Sequence, residues 1–101
     1  MEGQLCGKDQ MQKIVVLLYN SKGGDTRKKI LEILSSGPKN CNQLSKNLKI
    51  SWWAVKKHLS LLIKYNLIEE IHIEKTIFYE LTKLGFIALR RLQSNYFLTE
   101  T

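Results

Sequence analysis

From Ile33 to Ile68 the apolar residues recur at helical spacing, while the polar residues between them include Lys39, Lys46, Lys49, Lys56, Lys57 and Lys64 and neither an aspartate nor a glutamate. A helical segment that is purely basic on its wet side is matched to a polyanion. Inside it, the run from Leu44 to Leu59 reads as two short helices joined by a tight turn. That pattern is a helix-turn-helix, and duplex DNA is the partner it implies.

Length and charge frame this reading. A chain of 101 residues with 44% hydrophobic content is long enough for one compact core and too short for two, so residues 1–101 are expected to form one domain. The net charge of +7 suits a nucleic acid or an anionic membrane surface. The longest unbroken apolar run, Ile14 to Tyr19, is far short of the ~20 residues a spanning helix needs, so a soluble chain with no membrane partner is expected. Met1-Glu2-Gly3-Gln4 is not a basic region leading into an apolar one, so no export signal is visible and the expected location is the cytoplasm. Cys6 and Cys41 are too few and too isolated for a disulfide framework. Cys41 reads as a small core filler, and Cys6 as at most an intersubunit bridge.

Local signals divide the chain into seven elements. Asp9 is placed to cap a helix to Asn20, with Met11, Ile14, Val15 and Leu18 as its apolar stripe. Asp25 is placed to cap a second, Thr26 to Ser36, which turns Ile30, Ile33 and Leu34 inward and stops at Gly37-Pro38. Asn40 with Gln43 forms a capping-box pattern for a third helix burying Leu44 and Leu48, and Ser51 caps a fourth that runs to Tyr65. On a wheel of about 100° per residue, Val55, Leu59 and Leu62 share one arc. Trp53, Lys56, Lys57, Ser60 and Lys64 take the opposite one. Asn66 is a tolerable left-handed stop, after which 67–73 and 76–81 alternate as strands around Glu74-Lys75. Thr82 caps a last helix to about Leu98.

Helix, helix-turn-helix, β-hairpin, helix is the order of a winged helix, mainly α with a small β-hairpin. Asp25-Thr26-Arg27 through Ile30-Leu31 to Gly37 resembles the opening pattern of the arsenical-resistance repressor (ArsR-like) family. Ile50-Ser51 to Val55, with His58-Leu59, Leu62 and Leu67-Ile68, resembles its recognition helix and exit, and Phe78-Tyr79-Glu80-Leu81-Thr82 with Gly85 its second wing strand and last-helix start. The resemblance spans roughly Asp25 to Leu92 and implies a dimeric transcriptional repressor that releases DNA on sensing an effector, here unknown. It also implies that Trp52, Trp53, Lys56 and Lys57 fall where the recognition helix meets base edges, with Lys75 at the wing tip. Metal-sensing members carry paired cysteines near the recognition helix or histidine and carboxylate ligands on the last helix. Cys41 stands alone and 82–98 holds no histidine, so no metal or other cofactor is expected.

The candidate DNA-binding residues are therefore Trp52, Trp53, Lys56, Lys57 and Ser60 on the reader, Lys46, Lys49, Ser51 and Lys64 toward phosphates, and Lys75 on the wing. Trp52 lies at the edge of the buried arc, and a ring filling the gap between recognition helix and wing is the favoured reading of it. Trp53 sits mid-arc among lysines, facing DNA or, failing that, a symmetry mate. His58 lies beside the core arc, where a packed, hydrogen-bonded ring is favoured over a catalytic or metal role. His72 should face solvent. Paired carboxylates, a phosphate-cradling glycine loop and a nucleophile with its base are all missing from the sequence, so an enzyme is disfavoured. The last helix spreads Leu84, Phe86, Ile87, Ala88, Leu89, Leu92, Tyr96 and Phe97 around most of its circumference. Burial on two sides is needed, so this helix (82–98) and the first (9–20) are expected to form a homodimer interface, outside a helix-turn-helix at 40–66 and a wing at 67–81. The alternative is a winged helix serving as a protein-interaction or RNA-binding module, suggested by the two tryptophans and by Glu69, Glu70 and Glu74 near the wing.

Overall fold

Among the described residues, five helices and a β-hairpin follow one another in the order the local signals lead one to expect, with differences at several ends, and a further short strand makes the antiparallel sheet three-stranded. The computed structural model describes residues 8–20 and 22–93, so Cys6, Tyr96, Phe97 and the end of the last helix lie outside the described residues. Helix α1, Lys8–Val15, includes Asp9, the residue expected just ahead of it. It passes into a π-helical turn, Val16–Asn20. The wider turn delays the apolar face, so Leu17 and Leu18 are both buried while Val16 is 43% exposed.

Helix α2, Gly24–Leu34, begins two residues earlier than expected. Its cap position is Gly23, in a left-handed conformation at φ 87, and no side chain caps it. Asp25 instead occupies the first turn, where its charge favours the helix dipole, and pairs with Lys28 at 3.4 Å. Helix α3, Cys41–Leu48, carries the capping box in full: Asn40 Oδ1 accepts from the Gln43 amide at 2.8 Å, and Gln43 Oε1 from the Asn40 amide at 2.9 Å. Lys49 turns the chain out at φ 58, Ser51 Oγ accepts from the Ala54 amide at 3.1 Å, and α4 runs Trp52–Lys64. Asn66 ends that segment at φ 63, as its tolerance of left-handed backbone suggested.

Strand β1, Lys39–Asn40, was not foreseen; β2 is Ile68–Ile73 and β3 Thr76–Leu81, in the order β1-β3-β2. β1 pairs Lys39 with Tyr79 and Asn40 with Phe78, tying the entry of α3 to the wing. Helix α5, Lys83–Gln93, opens on Thr82, whose hydroxyl accepts from the Gly85 amide at 3.0 Å and donates to the Asn66 carbonyl at 2.6 Å. Gly85 packs so closely on Leu67 that a Cβ there would collide with the Leu67 carbonyl oxygen. The core gathers Ile30, Leu31 and Leu34 of α2, Leu44 of α3, Val55, Leu59 and Leu62 of α4, and Tyr79 of β3. No helix among the described residues is long and apolar enough to cross a membrane.

Candidate nucleic-acid interface

Helix α4 is divided lengthwise. Val55, Leu59 and Leu62 are at most 1% exposed and seat the helix, while Lys57, Ser60 and Lys64 stand in solvent and Trp53 is 76% exposed. Burying three branched aliphatic residues stabilises this seat by roughly 1.5–3 kcal/mol per side chain, so the outer face is held without contributing to the core itself.

Lys56 departs from the expected outer arc. It is half-buried, its Nζ donates to Tyr79 Oη at 3.3 Å, and the same ammonium lies 5.5 Å from the centre of the Trp52 ring. A helical wheel fixes the direction of Cβ but not where a four-carbon stem finds its partner, and here the partner is the wing. Trp52 is also corrected: it stands where expected, between recognition helix and wing, but is 38% exposed and not a buried filler. The gap is an open groove of about 340 Å³ lined by Asn40, Cys41, Trp52, Lys56, Lys75 and Tyr79 among others, more room than one indole fills. Trp52 meets Trp53 edge to face, with ring centres 4.8 Å apart and planes at 88°.

Around these lie the remaining cationic and hydroxyl candidates. Lys46 on α3 and Lys49 in the turn are exposed, as is Lys75 beside Glu74 at the wing tip. The Ser51 oxygen is engaged as the α4 cap, which leaves its O–H free to donate to a phosphate. Cys41 is buried and its thiol touches the Trp52 carbonyl at 3.7 Å; burial pushes that thiol's pKa up, with Lys56 opposing, so it is a neutral filler as expected. His72 is exposed and bonded to Glu70 at 3.0 Å.

The residue that sequence reasoning missed is Arg27. It is 3% exposed: Nε and Nη2 donate to the Leu17 carbonyl at 3.2 and 3.1 Å, Nη2 also to the Lys22 carbonyl at 3.0 Å, and Nη1 to His58 Nδ1 at 3.1 Å. A guanidinium only donates, so the His58 ring is neutral here with its proton on Nε2. Burial, then Arg27 and Lys57, lower the His58 pKa. His58 is thus the packed, hydrogen-bonded histidine expected, and it joins α4 to the π-helical turn through one side chain of α2. The signal available was an arginine at a position of α2 whose neighbours Ile30, Leu31 and Leu34 all face inward.

A capped helix pair with a cationic outer face, followed by a two-stranded wing and a closing helix, defines the winged helix-turn-helix class of transcription regulators. Within that class, residues 24–70, a little under half of the chain, match the sequence model of the bacterial regulatory protein arsR family. It is a family of transcription regulators, which bind DNA, and not of enzymes. Solved structures agree on the fold. HlyU from Vibrio cholerae superposes with a TM-score of 0.70 at 23% identity, over 95% of this chain and 98% of that one. The adhesin competence repressor AdcR of Streptococcus pyogenes gives 0.68 at 24%, over 90% and 70%. Lactococcus lactis ZitR, described as a zinc-responsive MarR family member, gives 0.64 at 26%, over 76% and 56%. In a second ZitR structure the chain spans 51% of that protein, about half its length. A search of curated proteins returns no match.

Proposed function

We propose that the chain is a sequence-specific duplex-DNA-binding transcriptional repressor of the cytoplasm, working as a homodimer with α4 in the major groove and the wing over the flanking backbone. The observation that carries the reading is the outer face of α4, where Trp53, Lys57, Ser60 and Lys64 are exposed within a stretch, Ile33 to Ile68, that holds no acidic residue. Lys57 and Ser60 face base edges, Trp52 and Lys56 the groove toward the wing, and Lys46, Lys49, Ser51, Lys64 and Lys75 the phosphates. Residues 1–101 act as one domain. Phe86 is 51% and Ile87 43% exposed on α5 while Ala88 and Leu89 are buried, so α5 has a second apolar side, and Val16 adds to the exposed apolar surface. These residues favour a twofold contact that holds two α4 helices ~34–36 Å apart, the spacing of successive half-sites.

Intrinsic tryptophan fluorescence titrated with duplex DNA at two salt concentrations tests the reading. Quenching or shift of the exposed Trp53 emission, weaker at higher salt, is expected; an unchanged spectrum at low salt with excess duplex would remove it. The second reading, a module for protein or RNA, is favoured by one feature, the exposed Glu69, Glu70 and Glu74 of the wing beside Ile73, which is 52% exposed. Single-stranded RNA outcompeting duplex DNA would favour it.

A further inference from the structure

Trp53 is the largest exposed apolar surface on α4, and its position is braced. Its ring meets Trp52 edge to face at 4.8 Å; the Lys56 ammonium lies over Trp52, and that ammonium is in turn bonded to Tyr79, which is 2% exposed. A relay from the core thus presents an indole to solvent in a fixed pose, so little side-chain freedom is lost when something covers it. Lys57 and Ser60 on the same face supply ordinary donors and acceptors. An indole has one N–H donor and no acceptor, so it matches the hydrogen-bond code of base edges poorly. The major groove displays one apolar group, the C5-methyl of thymine.

We infer that Trp53 is a specificity-determining residue that reads thymine through its 5-methyl group, giving each half-site at least one thymine that cannot be replaced by another pyrimidine without loss. This rests on the proposed placement of α4 in the major groove. It assigns to Trp53 a ligand chemistry distinct from that of the lysines: they meet phosphates and hydrogen-bond acceptors, whereas the indole meets an apolar group. The 38% exposure of Trp52 makes it the side wall of this contact and Trp53 the face.

The test starts from duplexes selected out of a randomised pool by the full chain. Each thymine of the selected site is then replaced by deoxyuridine, which removes a methyl group and leaves every donor and acceptor in place. At one thymine or more per half-site the replacement should weaken binding by about fourfold, the equivalent of one buried methylene-sized group. The same replacement should leave the affinity of Trp53→Ala unchanged, and Trp53→Phe should keep part of the discrimination. Thermal unfolding of Trp53→Ala should match the parent because the ring is 76% exposed. If deoxyuridine is tolerated at every position, or if Trp53→Ala loses as much as the parent does, the inference is overturned while the DNA-binding reading stands. A pool that yields no preferred sequence overturns both.

Discussion

The two surfaces that border the groove are built on opposite principles. Helix α4 carries its charge on one face with a single sign and sits on a core of side chains at most 1% exposed. The wing brings mixed charge: Glu69 stands directly across from Glu80, Glu70 is bonded to His72, and Glu74 precedes Lys75 at the tip. Like charges facing each other across a strand pair are destabilising, so the hairpin tolerates a small penalty that α4 does not carry. In the proposed complex with DNA, this contrast gives the electrostatic affinity to the helix pair and leaves the wing to shape the groove.

The largest contrast should be in stability. Leu59→Ala removes part of the α4 seat at a site 1% exposed and should cost about 2–5 kcal/mol of unfolding free energy, whereas Ile73→Ala near the wing tip, 52% exposed, should stay within about 0.5 kcal/mol. Denaturant unfolding of the two variants makes the comparison, and equal losses would mean that the wing is as deeply anchored as the helix. The side-chain hydrogen bond from Lys56 to the wing is weaker: Tyr79→Phe leaves the Lys56 ammonium without its acceptor and should cost about 0.5–3 kcal/mol. The same variant should also loosen Trp52, visible as a change in tryptophan emission.

Acidification sharpens the comparison because each surface has one histidine, and only that of α4 bonds to a buried cation. Burial and the charges of Arg27 and Lys57 hold His58 below its ordinary value of 6.5, so the unfolded chain binds the extra proton first. Stability supplied by the neutral ring is therefore complete above the unfolded value, is lost as pH falls from there to the folded value, and levels off below it. Melting temperature measured across that window should fall for the parent and stay flatter for His58→Asn, which keeps an acceptor near Nδ1 but does not titrate. An equally steep fall in His58→Asn would mean that the assignment to α4 is wrong. The smallest effect belongs to Glu69→Gln, which relieves the Glu69–Glu80 opposition and should raise stability by about 0.2–1 kcal/mol in a thermal melt.

Much of the architecture was legible because it depends on short-range rules. Asn40 with Gln43, Ser51 and Asn66 announce helix ends through bonds and dihedrals that span three or four residues, and the period of Val55, Leu59 and Leu62 fixes which side of α4 is buried. What escaped depends on partners far along the chain. Strand β1 exists only because Lys39 and Asn40 pair with Tyr79 and Phe78. Lys56 leaves the outer arc for Tyr79, 23 residues away, and Arg27 finds His58 across 31. Trp52 stays partly exposed because the distance between helix and wing is set by the sheet, which no wheel represents. The π-helical turn and the left-handed Gly23 are coupled to the same arginine: a Cβ at Gly23 would approach His58 Cε1 at 2.7 Å. The candidate site was thus legible as a face and a charge, and illegible as a set of contacts.

The central claim is that the acid-free face of α4 carries the affinity for duplex DNA and the wing tip carries little. Its most direct test is the salt dependence of duplex affinity for the parent, for Lys57→Ala with Lys64→Ala, and for Lys75→Ala. Each released counterion contributes a slope of about 0.9 in log affinity against log salt. The account predicts that the double variant loses about one such unit through Lys64 and, through Lys57, its preference for the selected sequence, while Lys75→Ala keeps that preference and loses one unit at most. A double variant with the parent's affinity and slope would contradict it.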